Sequence, residues 1–246
     1  MHLLITNDDG FDSVGIQTLA QVCKNAGHDV LIVAPATQQS ATSQCLSISK
    51  PLMSKPFTIN GINGFAIEGS PVDCVRVAQH LTDKKFDFCL AGINDGLNAG
   101  AAIYYSGTDG AAREASMNYM QSLALSIDRH ATEDMLTNLA KIAVSKLDYL
   151  SKNPMPRMCF LNINAPAIAI DKIKGEKLAV ISPAFFIDGY EKRLSPFGRD
   201  YFWMRADSSF EESPEGSDLY YLDRGYISYT FVGGFMDHNN TNKNII

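Results

Sequence analysis

The chain has 246 residues and a formal net charge of −6. At about 150 residues per domain, this length predicts one large domain, or one domain with a sizeable extension. Hydrophobic residues make up 46% of the chain and charged residues 20%, a composition that excludes a disordered or fibrous protein. The acidic balance also argues against the binding of long nucleic acids through a basic surface.

The cysteines and the apolar runs limit the cellular setting. The five cysteines stand at irregular spacings without a Cys-x-x-Cys pair, so neither a disulfide framework nor a thiolate zinc site is predicted. The sequence has no apolar run of about 18 residues that would suggest a membrane span. Met1 leads almost directly into an Asn-Asp-Asp segment, which leaves no room for a signal peptide. We therefore expect a cytoplasmic protein without a membrane partner.

The amino-terminal part begins with a strand–helix–strand pattern. Residues 3–6 and 29–35 are apolar runs that predict buried strands. The helix between them is expected to start at Asp12 or Ser13 and to end before Gly27. Its apolar face consists of Ile16, Leu19, Ala20 and Cys23. Such a unit predicts a parallel sheet with right-handed crossovers.

The next elements follow the same alternation. Residues 46–68 are rich in β-formers and carry the turn pairs Asn60-Gly61 and Asn63-Gly64, which predict hairpins. The segment 92–107 is rich in glycine and asparagine, and a loop of that length is expected to bind a ligand. The remaining predicted elements are helices over 71–81, 108–120 and 132–150, and strands over 86–91, 122–127 and 158–164.

These elements predict an α/β fold: a Rossmann-like parallel sheet, mixed at its edge, with helices on both faces. We place this core and its active site in residues 1–166. Residues 167–246 contain clustered aromatic residues and a turn at 195–198, so a β-rich carboxyl-terminal region with an extended arm is expected within one overall domain. The polar end at 237–244 is expected to be frayed.

Polar clusters follow three of the predicted strands. In open α/β sheets, ligands bind outside the carboxyl ends of the strands. The candidate ligands offer only oxygen atoms, which suit Mg²⁺ or Mn²⁺ better than zinc or copper. Taken alone, each cluster can equally be a turn, a loop hydroxyl or a satisfied amide, and only their joint placement predicts a metal site. The candidate metal ligands are Asp8, Asp9, Ser40 and Asn94.

A fourth cluster, Ser106-Gly107-Thr108, directly precedes a predicted helix. Hydroxyl groups, free backbone N–H groups and the positive end of the helix dipole together favour phosphate binding. An ordinary Ser/Thr helix cap is the alternative. Asp109 is expected to face outward, because an inward carboxylate would repel a phosphate.

In their order along the chain, these motifs resemble the SurE (survival protein E) family of 5′-nucleotidases. The resemblance covers nearly the whole chain and is most specific over the first 115 residues. The matching segments are 3–10, Ala34-Pro35 with Gln38-Gln39-Ser40, Gly69–Cys74, Gly92–Asn94 with Gly96, Asn98 and Gly100, and Tyr105–Thr108 with Ala111-Ala112 and Glu114.

The resemblance implies hydrolysis of nucleoside 5′-monophosphates by metal-positioned water, with one Mg²⁺ or Mn²⁺ per subunit. Asp8, Asp9, Ser40 and Asn94 would bind the cation, and Asp8 or Asp9 would accept the proton of the water. Asn98 and residues Ser106, Gly107 and Thr108 would hold the phosphate. The resemblance also implies homodimers or homotetramers that exchange a carboxyl-terminal arm.

Two other functions remain open at this point. One is a broader 3′-nucleotidase or exopolyphosphatase that uses the same site, and the other is a catalytically inactive nucleotide-binding protein. Ala41 stands where the family usually has glycine, and Asp109 where it usually has valine. Both border the expected site, so substrate preference and rate are left open. Further departures are Ala91, Ala115 and Ser228-Tyr-Thr-Phe231.

Overall fold

A computed structural model of the protein describes residues 1–233, except for the side chains of residues 186–188 and 206–210. The polar end at 237–244, predicted to be frayed, lies outside the described residues. Within residues 1–233 the chain forms eleven strands and five α-helices. The strands are β1 His2–Thr6, β2 Asp29–Pro35, β3 Ser54–Ile59, β4 Ile62–Ile67, β5 Phe88–Asp95, β6 Gln121–Ile127, β7 Cys159–Ala165, β8 Glu176–Leu178, β9 Phe186–Leu194, β10 Asp200–Phe210 and β11 Ile227–Gly233.

Nine strands form one sheet in the order β3-β4-β2-β1-β5-β6-β7-β11-β8. Six strands that are consecutive in this order, β4, β2, β1, β5, β6 and β7, run parallel to one another. β3 is antiparallel to β4, and β11 is antiparallel to β7. This mixed sheet confirms the predicted α/β fold. Because parallel strands end at the same edge, the residues that follow β1, β2 and β5 are brought together.

Helices cover both faces of the sheet. The helices are α1 Val14–Asn25, α2 Pro71–Ala78, α3 Gly107–Met117, α4 Glu133–Lys152 and α5 Asp218–Asp223. Successive residues of a strand point to opposite faces, and accordingly Leu3 and Ile5 pack with α1 and α4, whereas Leu4 packs with α2 and α3. In the described part of the chain, no helix has the length and hydropathy needed to cross a membrane.

Two of the predicted element positions were wrong. Only Asn60-Gly61, with φ angles of +52° and +69°, forms a hairpin turn; these positive angles are what a tight two-residue turn requires. Gly64 instead lies within β4, where an added Cβ would be 2.4 Å from the Phe57 ring. The segment 92–107 is also less irregular than expected, because β5 continues to Asp95 by pairing with β6 and Gly100–Tyr104 forms a 3₁₀ turn.

The carboxyl-terminal region contributes to the main sheet as well as to a hairpin. β11 pairs with β7, and β8 pairs with β11, so this region completes one end of the sheet. Within residues 1–233, β9 and β10 pair only with each other, around the predicted turn at 195–198. This hairpin carries exposed aromatic side chains: Tyr190, Phe197, Tyr201, Phe202 and Trp203. The extra strands confirm the β-rich carboxyl-terminal region.

Replacing Gly15 tests how closely α1 must approach β5. A Cβ at this position would lie 2.1 Å from the Ile93 carbonyl oxygen, so Gly15→Ala must push the helix away from the sheet. We expect the free energy of unfolding, measured with urea, to fall by about 2 kcal/mol or more. Gly189→Ala, where nothing lies within 4 Å of the added Cβ, should change it little. Equal stability of the two variants would contradict this packing.

Candidate active site

Asp8 and Asp9 follow β1 and are joined by hydrogen bonds to three other parts of the chain. The Thr108 hydroxyl at the start of α3 donates to Asp8 Oδ1 at 2.5 Å. The Gln39 amide, after β2, donates to the Asp8 carbonyl oxygen at 2.7 Å. The Asp95 amide, at the end of β5, donates to Asp9 Oδ2 at 3.2 Å. Four elements therefore meet around the two carboxylates.

Burial makes the charged form of both carboxylates unfavourable. It raises the pKa of Asp8 to about 6; the Thr108 hydrogen bond counteracts this effect, and the charge of Asp9 adds to it. Burial is also the main cause that raises the pKa of Asp9. Neither carboxylate forms an ion pair with lysine or arginine in residues 1–233. The pair is thus a concentration of negative charge without a cationic side chain to balance it.

Asn7 shapes the turn that presents these carboxylates. Its fully buried side-chain amide donates to the Gly10 carbonyl and to the Ser13 hydroxyl, both at 2.8 Å. Ser13 is the N-cap residue of α1, but its hydroxyl accepts from Asn7 and makes no side-chain cap hydrogen bond. Sequence reasoning treated Asn7 as part of a motif and did not assign it this role.

Ser40 lies on the exposed loop after β2, and Gln38 connects it to the carboxylates. The Gln38 side-chain amide donates to Ser40 Oγ at 3.1 Å, and its hydrogen bond to Asp9 lowers the pKa of that residue. Ser43 holds the same loop against the chain before α3, since its amide and hydroxyl donate to the Tyr105 and Tyr104 carbonyls at 3.0 and 2.7 Å. Gln38 was within a predicted polar cluster but was not predicted as a site residue.

Ala41 adopts a left-handed backbone conformation, with φ of +57°. An L-residue with a Cβ has a steric cost of about 1–2 kcal/mol in this region, whereas glycine has none. Glycine would avoid this cost at position 41, and this chain tolerates alanine there, beside Ser40.

Asn94 is half-buried near the end of β5. Its side-chain nitrogen donates to the Gly96 carbonyl at 2.7 Å, which leaves the side-chain oxygen as its available ligand atom. Gly92, two residues earlier, has φ of +134°, and a Cβ there would lie 2.3 Å from the Leu125 carbonyl oxygen. The close contact with β6 therefore requires glycine just before Asn94.

The start of α3 faces the carboxylates. Ser106 is its N-cap, and the Ser106 hydroxyl accepts from the Asp109 amide at 3.0 Å. Gly107 packs directly on Asp8, because an added Cβ would be 2.8 Å from Asp8 Cβ. The amides of Gly107 and Thr108 are in the first helical turn, where N–H groups have no partner within the helix. This end of the helix therefore presents N–H groups and a hydroxyl close to Asp8.

Asn98 is positioned by a different part of the fold. Its amide donates to Asn164 Oδ1 at 2.8 Å, and its side-chain nitrogen donates to the Ser126 hydroxyl at 2.9 Å. Its carbonyl oxygen accepts from the Asn162 and Asn164 side chains at 2.7 and 3.1 Å. In the described residues its hydrogen bonds thus go to β6 and β7, rather than to α3 or to Asp8.

The prediction that Asp109 faces outward was wrong. Its side chain has no exposed surface, because every residue from Gly107 to Ala112 in this first part of α3 is buried. Neither carboxylate oxygen has a well-formed hydrogen bond to another described residue. Burial raises the pKa of Asp109 to about 8, and the nearby Ser106 and the charge of Arg113 offset only part of this rise.

In the described residues there is no group of three or more His, Cys, Asp or Glu side chains placed to hold a metal; the predicted ligand set has only two carboxylates and depends on Ser40 and Asn94 for the rest. A cavity of about 520 Å³ lies at the opposite end of β1 and β2, between His2, Asp29, Phe57, Phe65 and Lys84. It contains none of the predicted site residues.

Comparison with known proteins agrees with this architecture. The profile of the family described as "Survival protein SurE" matches residues 3–186. Proteins described as "5'-nucleotidase SurE" are 36% identical in Nitratidesulfovibrio vulgaris strain DP4, over 94% of this chain and 92% of the relative, and 35% identical in Nostoc sp. PCC 7120, over 94% and 91%. The crystal structure of the SurE protein from Aquifex aeolicus superposes with a TM-score of 0.80 at 30% identity, over 95% of this chain and 93% of that one.

The fold and the carboxylates at the end of its parallel strands define a Rossmann-like α/β protein with an acidic site at the sheet edge. Within that class, the chain belongs to the SurE family.

Asp109→Asn tests the cost of the buried carboxyl group. In the unfolded chain this group ionises near its ordinary pKa of 3.8, whereas in the folded protein it keeps its proton to about pH 8. Raising the pH from 4 to 8 therefore favours the unfolded wild-type chain, an effect that asparagine cannot show. We expect the variant to be more stable than wild type at pH 8, by on the order of 2–5 kcal/mol, and similar at pH 4.

Urea unfolding at both pH values measures this difference. Asp83→Asn, which removes an exposed carboxylate, is the matched control and should give the same stability difference at both pH values. An Asp109→Asn effect that does not depend on pH would contradict the burial of an ionisable group at this position.

Proposed function

We propose that this protein is a 5′-nucleotidase that hydrolyses nucleoside 5′-monophosphates to nucleoside and phosphate with the help of one Mg²⁺ or Mn²⁺ per chain. The observation that carries the proposal is the pair of adjacent carboxylates that follows β1, in which the buried Asp8 lies against the amino-terminal end of α3 and Asp9 is partly buried beside it. Relatives described as 5′-nucleotidases, which align over most of the chain, support the same reaction.

The residues present suit a hard divalent cation. Asp8 and Asp9 lack a basic partner in the described structure, and burial disfavours their charge. With Ser40 and Asn94 they form an oxygen-only ligand set, of the kind that Mg²⁺ and Mn²⁺ prefer. When bound, the cation would polarise the phosphoryl group and lower the pKa of the attacking water.

The chain's own groups supply the remaining steps. The amides of Gly107 and Thr108, together with the Ser106 hydroxyl and Asn98, would stabilise the negative charge on the phosphoryl oxygens. Thr108 also orients the Asp8 carboxylate, because its hydroxyl donates a hydrogen bond to Asp8 Oδ1. One of the two aspartates would take the proton of the attacking water.

Exposed aromatic residues on the β9–β10 hairpin support the proposal that the protein forms homodimers or homotetramers by exchange of a carboxyl-terminal arm. Large apolar side chains exposed together mark association surfaces, and Tyr190, Phe202 and Trp203 are 69%, 59% and 60% exposed.

The protein is also proposed to be cytoplasmic, as expected from its unpaired cysteines.

Asn substitutions at the two aspartates test the catalytic proposal. Asp8→Asn and Asp9→Asn each preserve size but remove a negative charge, so we expect phosphate release from AMP with Mn²⁺ to fall at least 10²-fold. The exposed Asp83→Asn is the control and should keep its activity. Near-normal release by either site variant would contradict the proposal.

A substrate panel separates the remaining alternatives. AMP, GMP, a 3′-nucleotide and polyphosphate are compared with Mg²⁺ and with Mn²⁺, and EDTA is added as a control. We expect the 5′-nucleotides to give the highest kcat/KM and EDTA to abolish turnover. Preference for the 3′-nucleotide or polyphosphate would indicate the broader phosphatase, and absence of any metal-dependent turnover would indicate a nucleotide-binding protein.

A further inference from the structure

A buried aspartate from the carboxyl-terminal region holds the segment that joins the two parts of the proposed phosphate site. Residues 96–100, called the substrate loop below, carry Asn98 and continue through the 3₁₀ turn to Ser106. The Gly100 amide, at the start of that turn, donates to Asp218 Oδ2 at 2.9 Å. Asp218 lies 118 residues further along the chain and has no exposed surface.

The same carboxylate holds two other backbone groups. Asp218 Oδ1 accepts from the Ser182 amide at 2.9 Å and from the Leu219 amide at 2.8 Å. Three backbone N–H donors are thus directed at this one buried carboxyl group. Asp218 is therefore a fixed junction between the substrate loop, the chain that leads into β9, and α5.

Packing reinforces this junction. Gly100 has φ of +55°, and an added Cβ would lie 2.8 Å from Leu219 Cδ1 and 3.3 Å from the Ala184 carbonyl oxygen. Ala99, Ala184, Leu219 and Leu222 form a small apolar cluster that is separate from the two main cores, with Leu97 packed against it. The loop thus has direct contact with the carboxyl-terminal region, with no space for a side chain between them.

The substrate loop is held from its other side by β6 and β7. Asn164 exchanges two hydrogen bonds with the Asn98 backbone, and Asn162 adds a third. These side chains set the position of Asn98, whereas the direction in which the chain leaves toward Ser106 is set two residues later, at Gly100. Asp218 makes the polar contact at that point.

We propose that Asp218 is a positioning residue for phosphate binding, which aligns Asn98 and Ser106 by fixing the Gly100 amide between them. It contacts neither the proposed metal ligands nor the start of α3, so its effect is exerted through the substrate loop. The inference rests on the proposed nucleotidase function, and it assigns the carboxyl-terminal region a part in building the site.

Asp218→Asn tests the inference with minimal change in size. An amide has one acceptor oxygen, and its NH₂ group cannot accept a hydrogen bond, so either Gly100 loses its acceptor or Ser182 and Leu219 both do. The orientation that keeps two of the three hydrogen bonds is the one in which Gly100 loses its acceptor. With Mn²⁺ present, we expect kcat/KM for AMP to fall at least tenfold, mainly through KM, and inhibition by inorganic phosphate to weaken by a similar factor. Mn²⁺ affinity should stay within twofold of wild type. Asp223→Asn, an exposed aspartate on the same helix, is the matched control.

Hydrogen exchange of the peptide covering residues 96–104 gives a readout that does not need activity. It should be faster in Asp218→Asn than in Asp223→Asn. If Asp218→Asn does not fold, Leu219→Ala removes the packing against Gly100 and should raise KM at least threefold.

Unchanged exchange together with unchanged phosphate inhibition would overturn the inference, as would a loss of activity accompanied by an equal loss of Mn²⁺ affinity. A wild-type protein without nucleotide turnover would instead overturn the proposed function. In that case, faster exchange in Asp218→Asn and weaker binding of inorganic phosphate, measured by calorimetry, would still support the positioning role, and their absence would overturn it.

Discussion

The burial of negative charge at two adjacent carboxylates, the buried Asp8 and the partly buried Asp9, is the constraint around which the site is built. Asp8 and Asp9 follow β1, where burial disfavours charge, and the described groups that offset this cost are dipoles: the Thr108 hydroxyl and amide, the Asp95 amide and the Gln38 side chain. Dipoles reduce the cost of buried charge but do not cancel it. A divalent cation would cancel this charge. Because it would also supply local positive charge at the site, the net charge of −6 is compatible with an anionic substrate.

Close approach between elements follows from the same constraint. A hydroxyl at the start of α3 can reach Asp8 only if the helix start lies against the strand end, and Gly107 permits that contact. Gly15 likewise permits the contact of α1 with β5, and Gly92 permits the contact of β5 with β6. Ala41 and Asp109 are each unfavourably placed near the site. One strains the backbone beside Ser40, and the other buries an acid behind the proposed phosphate site.

Much of the fold was predictable because its signals are local. The first strand–helix–strand unit follows from apolar spacing, with Gly27 at φ of +85° just beyond the helix. The end of β5 was not predictable, since Gly-Ile-Asn-Asp has little strand propensity and becomes a strand by pairing with β6. The burial of the Asp109 side chain and the hydrogen bonds at Asp218 depend on tertiary packing, which local sequence patterns do not predict. The candidate residues themselves came from motif order, whereas the role of Gln38 and the contact of Thr108 with Asp8 are evident only in the structure.

Calorimetric titration with Mn²⁺ near pH 6, in two buffers of different ionisation enthalpy, tests most directly whether a cation balances the carboxylate pair. Because burial raises the pKa of Asp8 to about 6, part of the protein carries a proton there that the cation must displace. One Mn²⁺ should bind per chain with release of protons, and binding should be lost in the Asp8→Asn, Asp9→Asn double variant. No binding by the wild-type protein, or unchanged binding by the double variant, would contradict a metal site at these carboxylates.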